Sequence, residues 1–206
     1  MDNQPKIAFI TGISSGIGNA LAHALLKAGF TVYGLGRSNT INESNYHFIP
    51  LDLRKVEAVA RFNFPQIQAQ SYLLINNAGM IGEILPVGEL SSDHFFDVMQ
   101  VNAVAPQVLI NTFIQTFSRQ QVPLHVVNIS SGAARRPIDA WASYCASKAA
   151  LDLFAETVKA EMHARHKTLF AIHAIAPGVV DTPMQSRIRA ASPEKFLESK
   201  RFQDLK

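Results

Sequence analysis

The beginning of the chain constrains its fold more than any other stretch. Lys6-Ile7-Ala8-Phe9-Ile10 is a short apolar run of the kind a parallel strand buried on both faces requires. Thr11-Gly12-Ile13-Ser14-Ser15-Gly16-Ile17-Gly18 follows directly and opens onto a helix-forming stretch, residues 19–28, that Gly29 closes. Strand, glycine turn and helix in immediate succession are the context in which a loop can hold a dinucleotide. Gly12 permits the tight turn, Gly16 lets the backbone approach a pyrophosphate, and Gly18 lets helix and strand come close. The helix start then turns unpaired N–H groups toward the phosphates, with Ser14, Ser15 and Ile17 completing the loop. A turn serving geometry alone has the same local form, so the remaining segments decide.

Those segments alternate. Strand-like runs are expected at 31–36, 47–51, 72–76, 124–129 and 169–176, and helices over 92–119, with Ser91 or Ser92 as N-cap, and 143–164. Residues 39–45 and 63–71 read as loops or short elements, too short to link separate domains. Alternation of this kind predicts an α/β fold: a doubly wound parallel sheet in three layers, helices on both faces. A length of 206 residues fits one domain spanning 1–206. Each candidate residue follows a strand: Gly12 the first, Arg37 the second, Asp52 the third, Asn77 the fourth, Ser131 the fifth, Pro177-Gly178 the sixth. In an open α/β sheet the ligand crevice lies outside the carboxyl ends of the strands, so six segments converge on one edge.

Composition narrows the class of partner. Hydrophobic residues make up 48% and charged residues 17%, which excludes general disorder. The net charge of +3 comes without a Lys/Arg-rich run, only Arg135-Arg136, so an anionic small ligand is expected rather than nucleic acid. One cysteine, Cys145, rules out an internal disulfide and suits a reducing compartment. The N-terminus lacks the basic and apolar regions of a signal peptide, and no apolar run is long enough to span a membrane. These features set the expectation of a cytoplasmic protein. His163 and His166 lie at the end of a helix beside Arg165 and Lys167, where basic groups complement the helix dipole, and no metal site is expected.

Two residue sets carry chemistry. The second strand ends in Gly36-Arg37-Ser38 with no acid, which favours a 2′-phosphate and hence NADP over NAD, although Ser15 adds no basic clamp in the glycine loop. Tyr144 and Lys148, four apart, share a helix face. An ammonium held ~4 Å from the phenol would favour phenolate by about 4 kcal/mol at an effective dielectric near 20. That would lower the tyrosine pKa by about three, making Tyr144 a working proton donor.

These residues resemble the short-chain dehydrogenase/reductase family and, within it, are similar to the sepiapterin and benzil reductase branch. The likeness rests on the glycine loop, Asn76-Asn77-Ala78-Gly79, Asn102, Ser131, Tyr144-x-x-x-Lys148 and Pro177-Gly178, in the family's order and spacing. It implies a Rossmann-type fold and hydride transfer between NADP(H) and a carbonyl/alcohol substrate, most naturally as a reductase. A catalytically weak NADP-binding sensor or partner protein is the alternative. Tyr144 would exchange the proton, Ser131 hold the substrate oxygen, and Lys148 bind the nicotinamide ribose. Asn102 would hold a water that relays protons. Asp52 with Leu53 would border the adenine, Asn77, Ala78 and Gly79 the adenosine ribose, and Pro177, Gly178, Val180 and Thr182 the nicotinamide. The resemblance further implies a homodimer or tetramer through the helices bearing Asn102 and Tyr144. The first of these is apolar on more than one side.

On the substrate side Trp141 and Ile138 offer an apolar wall, Trp141 serving equally well as plain core. Residues 183–206 are expected to form a substrate-lid region ending short. They are charged, with no β-branched run for the family's last strand.

Overall fold

The computed structural model describes residues 4–204, so residues 1–3 and the last two of the lid region, 205–206, lie outside it. Six strands form one parallel sheet: β1 (Lys6–Thr11), β2 (Phe30–Gly36), β3 (Tyr46–Pro50), β4 (Ser71–Asn76), β5 (Leu124–Ile129) and β6 (Phe170–Ile175). Their order is β3-β2-β1-β4-β5-β6. The chain winds outward from β1 to β3, returns to β4 on the other side of β1, and winds out again to β6. The reversal between β1 and β4 opens the crevice of a Rossmann-type sheet.

The faces follow from the period-two alternation of a strand. Ile7 and Phe9 of β1 point to one side, where they meet α4 (Ala105–Phe117) and α5 (Ala142–Ala164) in the main core. Ala8 and Ile10 point to the other, toward Ala22 and Leu26 of α1 (Gly16–Lys27). Phe9, Phe113, Phe117 and Tyr72 are all fully buried, and Phe64 packs edge-on to Phe9 with ring centroids 4.8 Å apart. Residues 63–71, expected as a loop or short element, contribute Phe64 and Ala69 to the core.

The expected long helix 92–119 is continuous but not uniform. α3 (Ser92–Met99), capped by the Ser91 hydroxyl, runs into a π-helical turn (Gln100–Val104), then α4, then a 3-10 turn (Ser118–Gln120). The interruption has a local cause. Pro106 has no N–H to offer the Asn102 carbonyl four residues back, and the α-helical ladder widens there. Four short elements lie outside the sequence expectation: α2 (Val56–Ala60), a 3-10 turn (Gly132–Ala134), α6 (Pro183–Arg189) and α7 (Ser199–Gln203). The last two lie in the lid region, and Ile188, Phe196 and Phe202 tie it to Trp141 and Tyr144 in a third apolar cluster.

Candidate active site

Along the carboxyl ends of the strands runs a cleft of about 850 Å³. Thr11 organises its floor. Its buried hydroxyl accepts hydrogen bonds from the backbone N–H groups of Asn77 and Ala78, each at 3.0 Å. The Asn77 side-chain amide returns two, to the carbonyls of Thr11 and Gly12, both at 3.0 Å. The segments after β1 and β4 are thereby locked across the switch point. Gly12 has φ +72°, and a Cβ there would sit 2.8 Å from the Ala78 Cα. Gly18 faces the Gly12 carbonyl so closely that a side chain would overlap it, so it serves the approach of helix to strand and does not line the cleft.

Among the described residues no side chain caps the start of α1. Its N-cap, Ser15, makes no side-chain capping bond, and its first turn holds no acid. Unsatisfied N–H groups with the positive end of the helix dipole face a cleft lined by Gly12, Ser14, Ser15, Gly16 and Ile17. Uncapped N–H groups and glycines too crowded for a Cβ fit a phosphate-bearing dinucleotide.

At the next strand ends Arg37, Asp52, Leu53 and Arg54 line the same cleft. Arg54 was missed by sequence reasoning. Its guanidinium holds Asp52 at 3.1 Å, and this bond, aided by Arg37, keeps the Asp52 carboxyl below its usual range against the opposing effect of burial. Two arginines therefore stand at this end. The signal available for Arg54 was its place two residues after Asp52, at the start of a strand-to-helix connection. Ser38 is exposed and lies outside the lining.

Ser131 ends the β5 segment. Its hydroxyl accepts from the Ala133 N–H at 3.2 Å, capping the short turn, and lies near enough to the Tyr144 phenol to favour its ionised form. Tyr144 and Lys148 occupy the first two turns of α5, both buried. The Lys148 ammonium donates to the Ile129 carbonyl at 2.7 Å and stands 5.8 Å from the centre of the tyrosine ring. The expected depression of the Tyr144 pKa is not what the protein groups produce. Burial dominates and raises it, with Ser131 opposing. Burial likewise pushes the Lys148 pKa down to about 8, with Asp152 pulling it back. At the ring-centre distance seen here, desolvation governs both groups.

Asn102 is fully buried in the π turn and does not line the cleft. Its side chain accepts from the Met80 N–H at 2.8 Å and donates to the Met80 carbonyl at 2.8 Å and the Ser147 hydroxyl at 3.1 Å. These bonds fasten the segment after β4 to α5, one residue from Lys148. Gly79 lies between, its missing Cβ position 3.5 Å from the Asn102 Oδ1 and 3.6 Å from the Lys148 Nζ. Pro177, Gly178, Val180 and Thr182 close the cleft beyond the end of β6, and Trp141 forms part of its wall, edge-on to Tyr144 with ring centroids 5.6 Å apart.

Residues 6–193 match the sequence pattern of the family described as short chain dehydrogenase. A benzil reductase ((S)-benzoin forming) from Bacillus cereus is 35% identical over 216 residues, covering 98% of this chain and 86% of the relative. A short-chain dehydrogenase/reductase from Burkholderia vietnamiensis superposes with a TM-score of 0.79 at 28% identity, over 98% of this chain and 99% of that one. A solved 4-hydroxyisoleucine dehydrogenase complexed with NADH superposes at 0.73 with 32% identity, over 90% and 81% respectively. A match running from the first strand into the lid segment, on a fold and cleft of this form, makes the chain a member of the short chain dehydrogenase family, an oxidoreductase of carbonyl and alcohol groups.

Proposed function

We propose that the protein is an NADP-preferring reductase of ketones, diketones or similar carbonyl compounds, acting in the cytoplasm as a homo-oligomer. The observation that carries the reading is the position of Ser131, Tyr144 and Lys148 in one cleft with the uncapped start of α1. The benzil reductase relative supports the substrate class.

The glycine loop and the α1 N-terminus would hold the dinucleotide phosphates, Arg37 and Arg54 the 2′-phosphate, Asp52 and Leu53 the adenine. Asn77, Ala78 and Gly79 would flank the adenosine ribose, Lys148 would take the nicotinamide ribose hydroxyls, and Pro177, Gly178, Val180 and Thr182 would flank the nicotinamide. Bound there, the dinucleotide supplies the hydride for reduction. The chain's own residues handle the proton. Burial keeps Tyr144 protonated at neutral pH, the form that donates to a carbonyl oxygen. Ser131 holds that oxygen and stabilises the charge it gains, and the Lys148 ammonium near the ring favours the phenolate left behind. Asn102 positions the Met80 segment and, through Ser147, the turn of α5 that carries Lys148.

Cofactor oxidation with a panel of ketones, diketones and quinones tests this, comparing the native chain with Tyr144→Phe. Loss of the proton donor should lower turnover by a factor of about 100 to 10,000. Equal rates in both proteins would remove Tyr144 from the reaction. The phosphate preference predicts a lower KM for NADPH than for NADH, with Arg37→Asp narrowing the gap by about tenfold, the worth of a charge-assisted hydrogen bond. Equal KM values in the native protein would count against Arg37.

A further inference from the structure

The substrate end of the cleft has a charge pattern that neither a neutral ketone nor the dinucleotide accounts for. Its wall is apolar and aromatic: Ile138, Trp141, Met184, Ile188 and Phe202, with Phe202 5.0 Å and the buried Phe196 5.6 Å from the Trp141 ring. Three arginines, Arg136, Arg187 and Arg201, line the cleft together with this wall, and no acidic residue other than Asp52 lines it among the described residues. The acid that does line the cleft, Asp52, stands at the adenosine end and is held by Arg54.

The three arginines come from separate segments. Arg136 follows the capped turn at Ser131, Arg187 lies on α6 beside the buried Ile188, and Arg201 lies on α7 against Phe202, 5.8 Å from its ring centre. Arg201 is paired with Glu198 at 2.9 Å. Arg136 and Arg187 have no acidic partner among the described residues. Arg187 is also pre-oriented, since one of its nitrogens donates to the Gly82 carbonyl at 3.0 Å, leaving further donors unspent. Guanidinium groups without an acid, set around an apolar wall, suit a planar anion on an apolar body. The phosphates have their own site at the start of α1, on the β1 segment.

Resting on the reductase reading above, we infer that the carbonyl substrate carries a carboxylate on an aromatic or comparably bulky apolar body. Arg187 and Arg136 receive the carboxylate while Trp141 and Phe202 hold the body. The carboxylate is a spectator of the carbonyl-to-alcohol step. It fixes which way the carbonyl faces Tyr144 and Ser131.

The test uses the native chain with NADPH and a matched pair of probes, phenylglyoxylate and its methyl ester, with benzil as a neutral reference. The acid should be reduced with a kcat/KM at least about tenfold above the ester, and Arg187→Gln or Arg136→Gln should each shrink that ratio by about tenfold, the worth of a hydrogen bond to a charged group. A second readout is independent of turnover. Phenylglyoxylate added with NADP should quench the fluorescence of Trp141, the chain's one tryptophan, saturably and more weakly in Arg136→Gln. An ester turned over as well as the acid, with the ratio unmoved in both variants, overturns the inference and leaves the reductase reading standing. The inference is equally overturned if the variants lose NADPH affinity and keep the acid-to-ester ratio, because the arginines then serve the cofactor. If acid, ester, benzil and the wider ketone panel all remain unreduced, the reductase reading falls and the inference with it.

Discussion

Lys148 shows how far a functional residue can sit from its own stability optimum. A buried ammonium with one backbone acceptor and a pKa of about 8 is held against its preference for water. Its folded pKa lies below the unfolded value of 10.5, so the unfolded chain binds more protons between about pH 8 and 10.5. Across that window the group's penalty is relieved as pH rises, and below it the penalty is fully present. Lys148→Met should therefore be more stable than the native chain at pH 7 by about 1–2 kcal/mol, after allowing for the Ile129 carbonyl left without its donor. The advantage should shrink toward about pH 10 while turnover is lost. Denaturant unfolding at the two pH values checks this, and an unchanged difference would show that Lys148 is not held as a costly charge. The pairing of Tyr144 with Lys148 was legible from its four-residue spacing. The sign of the tyrosine shift was not, because spacing carries no information about burial.

At the scale of elements, what was legible in the sequence and what was hidden have physical causes. The strands and their order along the sheet edge could be read because a strand buried on both faces must be a continuous apolar run. Gly34, inside β2, could not be interpreted in that way. In the structure the buried Tyr46 ring of β3 lies across it, and a Cβ would overlap the phenol. Gly34→Ala should cost about 1–3 kcal/mol as overpacking, and much less in a Tyr46→Ala background, since the two positions share one space. Equal costs in both backgrounds, measured by equilibrium unfolding, would mean that the glycine is needed for its backbone alone. The π turn was hidden for the opposite reason. Pro106 was visible, but a proline in a helical pattern reads equally as a kink or an end until tertiary contacts keep the helix running. Phe196 and Phe202 stand singly in a charged stretch, so no periodicity marked them as a wall over Trp141.

For the whole molecule, the three-layer sheet and the edge carrying the cleft follow from chain order, but association depends on surfaces that periodicity only hints at. The excess apolar character of residues 92–119 is resolved by the structure into two populations. Leu109, Phe113 and Phe117 are buried in the main core under the sheet and Val98 is buried beside Gly82, while Phe96 remains 73% exposed and Val104 is also exposed. On α5, which packs against α3, Leu153 is 71% exposed. Large side chains left in water on two neighbouring helices are each worth about 1.5–3 kcal/mol if a partner buries them, enough together to hold a dimer when both copies contribute. The native chain should therefore sediment near twice its 22.6 kDa mass at micromolar concentration. Phe96→Glu and Leu153→Glu should each move it toward a single chain without loss of helix content, since neither side chain belongs to the core. A native protein that sediments as a monomer, or variants that leave a dimer intact, would place any association elsewhere.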